Sequence, residues 1–133
     1  MSVFTRDIGI DLGTASVLVY IKGKGIVLRE PSVVAVDETT HTIIDVGTGA
    51  LNMLGRTPRG ISAIRPLKNG VISDYDLTER MIHYYLKQVL GRFSFARPRV
   101  VVCVPSGVTE LERRSVVEAT MDAGSMDTRL IEE

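Results

Sequence analysis

A chain of 133 residues is the size of one domain, and its 16 Lys and Arg against 16 Asp and Glu leave no net field. Charge-driven capture of nucleic acid or of an anionic membrane is therefore excluded as a global property, and any such binding must be local. The single cysteine, Cys103, rules out an internal disulfide and fits a reducing cytosol, while the longest apolar run, Val100 to Val104, is far short of a membrane span.

In chain order, "DIGIDLGTAS" (residues 7–16) runs an apolar strand into Asp11 and then into small residues, with Gly13 expected to supply backbone angles that a strand does not use. "SVLVYIKGKGIVLRE" reads as two strands about a Lys22-Gly23-Lys24-Gly25 turn. Val17, Val19 and Ile21 share one face and Leu18 and Tyr20 the other, so burial of both faces is expected. Pro31-Ser32 leads into the strand "VVAVD", a polar loop from Asp37 to His41, and the strand "TIIDVG", giving a meander of three to four strands. "TGALNMLG" has the form of a short helix stopped at Gly55, and residues up to Ile72 show no clear period. A strong helix is expected from Asp76, where Asp76 and Glu79 have capping-box spacing, to a stop at Gly91. "RVVVCV" between Pro98 and Pro105 reads as a buried parallel strand. A second helix starts at Thr109, with Glu112 at capping-box spacing, and buries Val116, Ala119, Thr120 and Ala123 before Gly124. "TRLIEE" reads as a last strand, at which a longer chain is expected to have been cut. The order β-β-β, irregular insert, α, β, α, β predicts one mixed sheet with helices packed on it.

Three places carry chemistry. Asp11 is a hard oxygen ligand, suited to Mg²⁺ directly or through water, and the small residues Gly13, Thr14, Ala15 and Ser16 let backbone N–H groups approach a phosphate. The same residues also suit a plain hairpin with an aspartate in its turn. Glu132 and Glu133 end the last strand, where a carboxylate can orient an attacking water or lie as a solvated charge. Phe93 and Phe95, flanked by Arg92, Arg97 and Arg99, either dip into a lipid interface or fold back onto the core. Gly47-Thr48-Gly49 begins like a dinucleotide fingerprint, but Asn52 stands where its third glycine belongs. His41 and His83 lack partners at metal spacing, Cys103 reads as a small core residue, and Tyr84 and Tyr85 read as packing residues.

Together these stretches resemble a family. "DIGIDLGTAS" is similar to the first phosphate loop of the actin, Hsp70 and sugar-kinase superfamily, and "VVVCVPSGVTELERRSVVEATMDAG" with "LIEE" is similar to its connecting segment. "GKGIVLREPSVVAVD" and "NMLGRTPRGISAIRPLKNGVISDYD" resemble the MreB family of bacterial actin-like cell-shape proteins, and Pro66, Gly70, Val71 and Ile72 match the Pro-x-x-x-Gly-Ile-Ile pattern of actins. The resemblance runs from Arg6 to Glu133. It implies an α/β, ribonuclease-H-like actin-type lobe, with a mixed sheet from a β-meander followed by α-β-α-β and an inserted small α+β subdomain. Residues 1–30 and 74–133 would form subdomain IA on the phosphate and magnesium side, residues 31–73 the filament-contacting subdomain IB, and a second lobe would be absent.

The resemblance further implies ATP and Mg²⁺ as cofactors, with Asp11 holding Mg²⁺ through water and Gly13, Thr14, Ala15 and Ser16 contacting the β- and γ-phosphates. Ser16 stands where relatives often carry asparagine, which leaves its phosphate contact open. Glu133 would polarise the hydrolytic water, and Phe93 and Phe95 would touch the inner membrane. The implied partners are further copies of the protein in filaments, the membrane surface and the cell-wall elongation machinery, at the cytoplasmic face of the plasma membrane, with no nucleic acid. ATPase activity is expected of a two-lobed protein and not of these residues alone. The alternatives are a non-polymerising Hsp70-like or sugar-kinase-like ATPase lobe, or an inert structural module.

Overall fold

The computed structural model describes residues 7–56, 58–68, 71–90 and 98–132. Strands β1 (Asp7–Leu12), β2 (Ser16–Ile21) and β3 (Gly25–Pro31) form an antiparallel meander. Positive φ values of 90° at Gly23 and 84° at Gly25 let the β2–β3 connection turn tightly, as the glycines there predict. β9 (Arg99–Val104) pairs parallel to β1, and β10 (Asp127–Glu132) pairs parallel to β9, so the main sheet has the order β10-β9-β1-β2-β3.

Two helices cover one face of this sheet. α2 (Tyr75–Leu90) buries Leu77, Met81, Ile82, Tyr85 and Leu86, a stripe at helical spacing. α3 (Glu110–Asp122) buries Val116, Ala119 and Thr120, and Ala123 follows beneath it. Facing them are Ile8, Ile10, Leu12, Val17, Val19, Val100, Val102 and Val104, every second residue of their strands. Each such side chain contributes about 1.5–3 kcal/mol when buried, so this two-layer core dominates the fold.

The strands after β3 depart from the expected single sheet. β4 (Val34–Asp37) pairs with β5 (Ile43–Val46) and β6 (Ile61–Ile64) in a separate three-stranded sheet of order β5-β4-β6. The cause lies at Ser32, which turns back to the β1–β2 connection instead of letting the meander continue. β4 is buried on both faces: Val34 and Val36 join the main core, while Ala35, with Val33 just before the strand, packs with Ala50 in a small second one. The β4–β5 loop is held by Asp37, whose carboxylate accepts from the Thr39 and Thr40 amides at 2.8 and 3.1 Å. Those bonds, Thr40's first, hold the Asp37 carboxyl below its ordinary range. α1 is the four-residue helix Thr48–Leu51, continued by turns to Gly55. The stretch without a clear period contains β6 and a two-residue pair, β7 (Leu67–Lys68) with β8 (Val71–Ile72), strands too short to show alternation.

Four further expectations are corrected. α2 begins at Tyr75 and its cap is Asp74, whose Oδ1 accepts from the Leu77 amide at 3.0 Å, so Asp76 and Glu79 are not a capping box. Thr109 and Glu112 do form one, each bonding the other's backbone amide. The second face of the main sheet is open among the described residues: Tyr20 is 49% exposed and Val101 39%, and Cys103 is half-buried there instead of in the core. Tyr85 is buried as expected, but Tyr84 is largely exposed.

Candidate functional site

The site is built where β1 runs into β2. Asp11 pairs with Cys103 on β9 and with Leu18 on β2, which places its half-buried carboxylate near the carboxyl end of the parallel strands, on the open face. Open α/β sheets bind ligands at that end. Leu12 pairs with Val17, and the Gly13 amide donates to the Ser16 carbonyl at 3.0 Å, closing a two-residue loop of Thr14 and Ala15.

Neither loop residue has a positive φ, so this is not one of the primed turns that two-residue hairpins favour. Gly13 is not at a positive φ either, contrary to the sequence expectation. Its requirement is space: a Cβ there would stand 2.6 Å from the Ser16 carbonyl oxygen, which is backbone and cannot give way.

Buried Ser32, just beyond β3, straps the corner from below. Its hydroxyl donates to the Gly13 carbonyl at 2.8 Å and its amide to the Ala15 carbonyl at 3.0 Å. The carbonyls of Gly13, Ala15 and Ser16 are thus engaged within the fold, which tempers the lone pairs an approaching phosphate would meet. Ser32 was not legible as a site residue, because its role depends on which two loops meet.

Asp11 is suited to magnesium in one particular way. Among the described residues no three His, Cys, Asp or Glu side chains converge on a common point, so these residues offer no all-protein cage. A single carboxylate beside a small-residue corner would suit only a magnesium ion that keeps most of its waters and takes its remaining ligands from a bound phosphate.

The remaining sequence candidates divide. Glu132 is tied to Arg113 of α3 at 2.7 Å and pairs with Val104, on the helix-covered side. Glu133, Phe93 and Phe95 lie outside the described residues. The larger cavities are elsewhere. One of about 660 Å³ lies at the opposite end of the parallel strands, where Asp7–Arg99 and Asp127–Arg129 are ion-paired. Another of about 410 Å³ lies between α2, α3 and β5 beside Glu79, whose carboxyl is pushed up by burial and then by Asp76, Glu118 and Asp122. No helix among the described residues is long and apolar enough to cross a membrane.

A meander continued by a β9–α3–β10 crossover, with Asp11 and a small-residue corner at the strand ends, has the layout of an actin-like fold. Solved structures agree: MreB5 of Spiroplasma citri bound to ADP superposes with a TM-score of 0.83 at 33% identity, over 96% of this chain and 38% of that one. The MamK double helical filament, at 17% identity and a TM-score of 0.77, shares the fold. The MreB/Mbl family profile matches residues 5–133, and the chain belongs to that family. It is 49% identical over 131 residues to the cell shape-determining protein Mbl of Bacillus cereus and 51% over 136 residues to the cell shape-determining protein MreB of Pasteurella multocida. Each match covers 98% of this chain and 39% of the relative, so the chain spans about two fifths of its relatives' length.

Proposed function

We propose that these residues form the phosphate-and-metal side of an ATP-dependent, self-assembling actin-like protein that acts in cell shape and cell-wall synthesis at the inner face of the plasma membrane. The observation that carries this reading is the corner itself: Asp11 at the carboxyl end of β1, beside a loop in which even a methyl group at position 13 would not fit. In support, a relative sharing 34% identity, MreB5 of Spiroplasma citri, is solved bound to AMPPNP, and the related curated proteins are named for cell shape.

In this reading Asp11 holds a water-ligated Mg²⁺, which when bound neutralises charge on the phosphates. Gly13, Thr14, Ala15 and Ser16 bind the phosphate oxygens through backbone and hydroxyl donors, and Glu133 orients the attacking water and accepts its proton. Subdomain IA comprises residues 1–30 and 74–133, and subdomain IB, residues 31–73, contributes to the contact between successive copies. Phe93 and Phe95 touch the membrane. Two rings at ~1.5–3 kcal/mol each anchor a single copy weakly, and a filament multiplies the contact.

The test uses these residues extended to the relatives' full length. With Mg-ATP the protein should sediment as polymer, Asp11→Ala should abolish that dependence, and Glu133→Ala should assemble while turning over ATP more slowly. Failure to sediment under any nucleotide condition would remove the filament, and normal turnover by Glu133→Ala would remove that residue's role. Liposome flotation by a Phe93→Ser, Phe95→Ser variant as strong as the parent's would remove the membrane contact.

A further inference from the structure

The corner lacks a positive charge. From Leu12 to Leu18 the chain has no lysine or arginine, although a triphosphate carries several negative charges. Cations do stand close by. Asp11 pairs with Leu18, and Leu18 pairs with Arg29 on β3. Directly opposed residues project from the same face, so Asp11, Leu18 and Arg29 form one row across the open side of the sheet. Two strand spacings, about 10 Å, separate its ends. In the next row toward the corner Ser16 pairs with Pro31.

A cavity of about 360 Å³ opens beside this row, with Ala15 and Ser16 on one wall and Arg29 and Arg65 on others. Arg65 reaches it from the connection between β6 and β7, in a different sheet. The cavity's one carboxylate, Glu30, is turned toward Thr48, accepting from its amide at 3.1 Å and from its hydroxyl. Four other arginines are ion-paired, Arg80 with Asp76, Arg99 with Asp7, Arg113 with Glu132 and Arg129 with Asp127, while Arg56, Arg59 and Arg114 form no ion pair among the described residues. Among the described residues no carboxylate forms an ion pair with Arg29 or Arg65. Two arginines lining a cavity beside this corner, whose one carboxylate, Glu30, is engaged by Thr48, offer a receptor for a phosphate group, which the planar fork binds through two hydrogen bonds at once.

We propose that Arg29 and Arg65 form an anion subsite that, together with the Gly13–Ser16 corner, receives the terminal phosphate of a triphosphate. This inference rests on the nucleotide reading above and deepens it. A diphosphate seated at the corner leaves the subsite empty, so Arg29 and Arg65 distinguish triphosphate from diphosphate, a role the corner's neutral side chains cannot fill.

The test is a titration of these residues, extended to the relatives' full length, with magnesium tripolyphosphate and with magnesium pyrophosphate, read from arginine Nε–Hε resonances. Tripolyphosphate should shift Arg29 and Arg65, pyrophosphate should leave them nearly unmoved, and Arg59 and Arg114, which do not line this cavity, should stay in place. The double variant Arg29→Gln, Arg65→Gln should bind tripolyphosphate about tenfold more weakly, the loss expected for a charge-assisted hydrogen bond, and bind pyrophosphate unchanged. Arg65→Lys should keep part of the preference. Thermal melts of the variants, matching the parent's, establish that they are folded. Asp11→Asn separates the two readings, since it should weaken both anions and remove their magnesium dependence. If Asp11→Asn does this while the arginine variants bind as the parent does, the subsite is overturned and the corner stands. If neither change matters, or all arginines shift alike, both readings fall.

Discussion

Tyr85 shows how one side chain can tie two layers together. Its ring is buried under α2 and meets Tyr84 edge-on, with ring centres 5.7 Å apart, while its hydroxyl donates to the Pro31 carbonyl at 3.1 Å. Burial first, and Glu30 second, push this phenol far above its ordinary value. A raised pKa means that the stability it contributes is complete below the unfolded value, near pH ~10, and declines as pH rises beyond it, because only the unfolded chain then releases the proton. Urea midpoints measured between neutral and strongly alkaline pH should therefore fall on the alkaline side. Tyr85→Phe should flatten that fall and cost about 1 kcal/mol at neutral pH, where the Pro31 carbonyl loses its donor. Tyr85 was legible only as a packing residue, since nothing in "HYYL" tells which tyrosine faces inward or what its hydroxyl reaches. As candidates, Asp11 and Gly13 were legible because they stand two positions apart in one short motif, although Gly13 requires space and not the backbone angle expected of it. Arg29 and Arg65 were not, because they meet the corner through strand register and through a second sheet.

At the level of elements, the two long helices differ in how openly they announce themselves. Thr109 and Glu112 bond reciprocally at 2.9 and 3.1 Å, and Glu112 is 5% exposed, so the box sits half inside the core. Thr109→Ala should lower stability by about 1 kcal/mol and Thr109→Ser by much less, measured by chemical denaturation. For α2, two acidic residues two positions apart compete for the role. Asp74 takes it because its oxygen reaches the Leu77 amide, whereas Asp76 lies inside the first turn and pairs with Arg80 at 3.3 Å. Spacing alone favoured Asp76, since a glutamate follows it by three. The strands show the complementary limit. Six-residue β1 and β9 declare themselves by composition, whereas β7 and β8, of two residues each, exist only because they pair.

Among the described residues two larger sheets and the short β7–β8 pair surround one main core, and the five-stranded sheet is covered on one face only. Parallel strands are ordinarily covered on both faces, yet β1, β9 and β10 carry helices on one face while Ile131 on the other is 55% exposed. An apolar run reads the same in sequence whether one face is covered or two, which is why full burial was expected of Leu18 and Tyr20. Tyr20 at 49% and Ile26 at 53% exposure extend this apolar area across the antiparallel strands. The native chain should accordingly bind an apolar dye such as ANS, and Tyr20→Thr with Ile26→Thr should reduce the fluorescence without lowering the melting temperature. Dye binding that appears only on unfolding would contradict the exposed face.

Ser32 has a mechanical consequence. Its amide and its hydroxyl both grip the β1–β2 corner, and two residues later the same stretch of backbone becomes the central strand of the small sheet. Tilting the small sheet would therefore strain the bonds to Gly13 and Ala15, and widening the corner would strain the start of the small sheet. Loop shape and sheet inclination are linked through one buried serine.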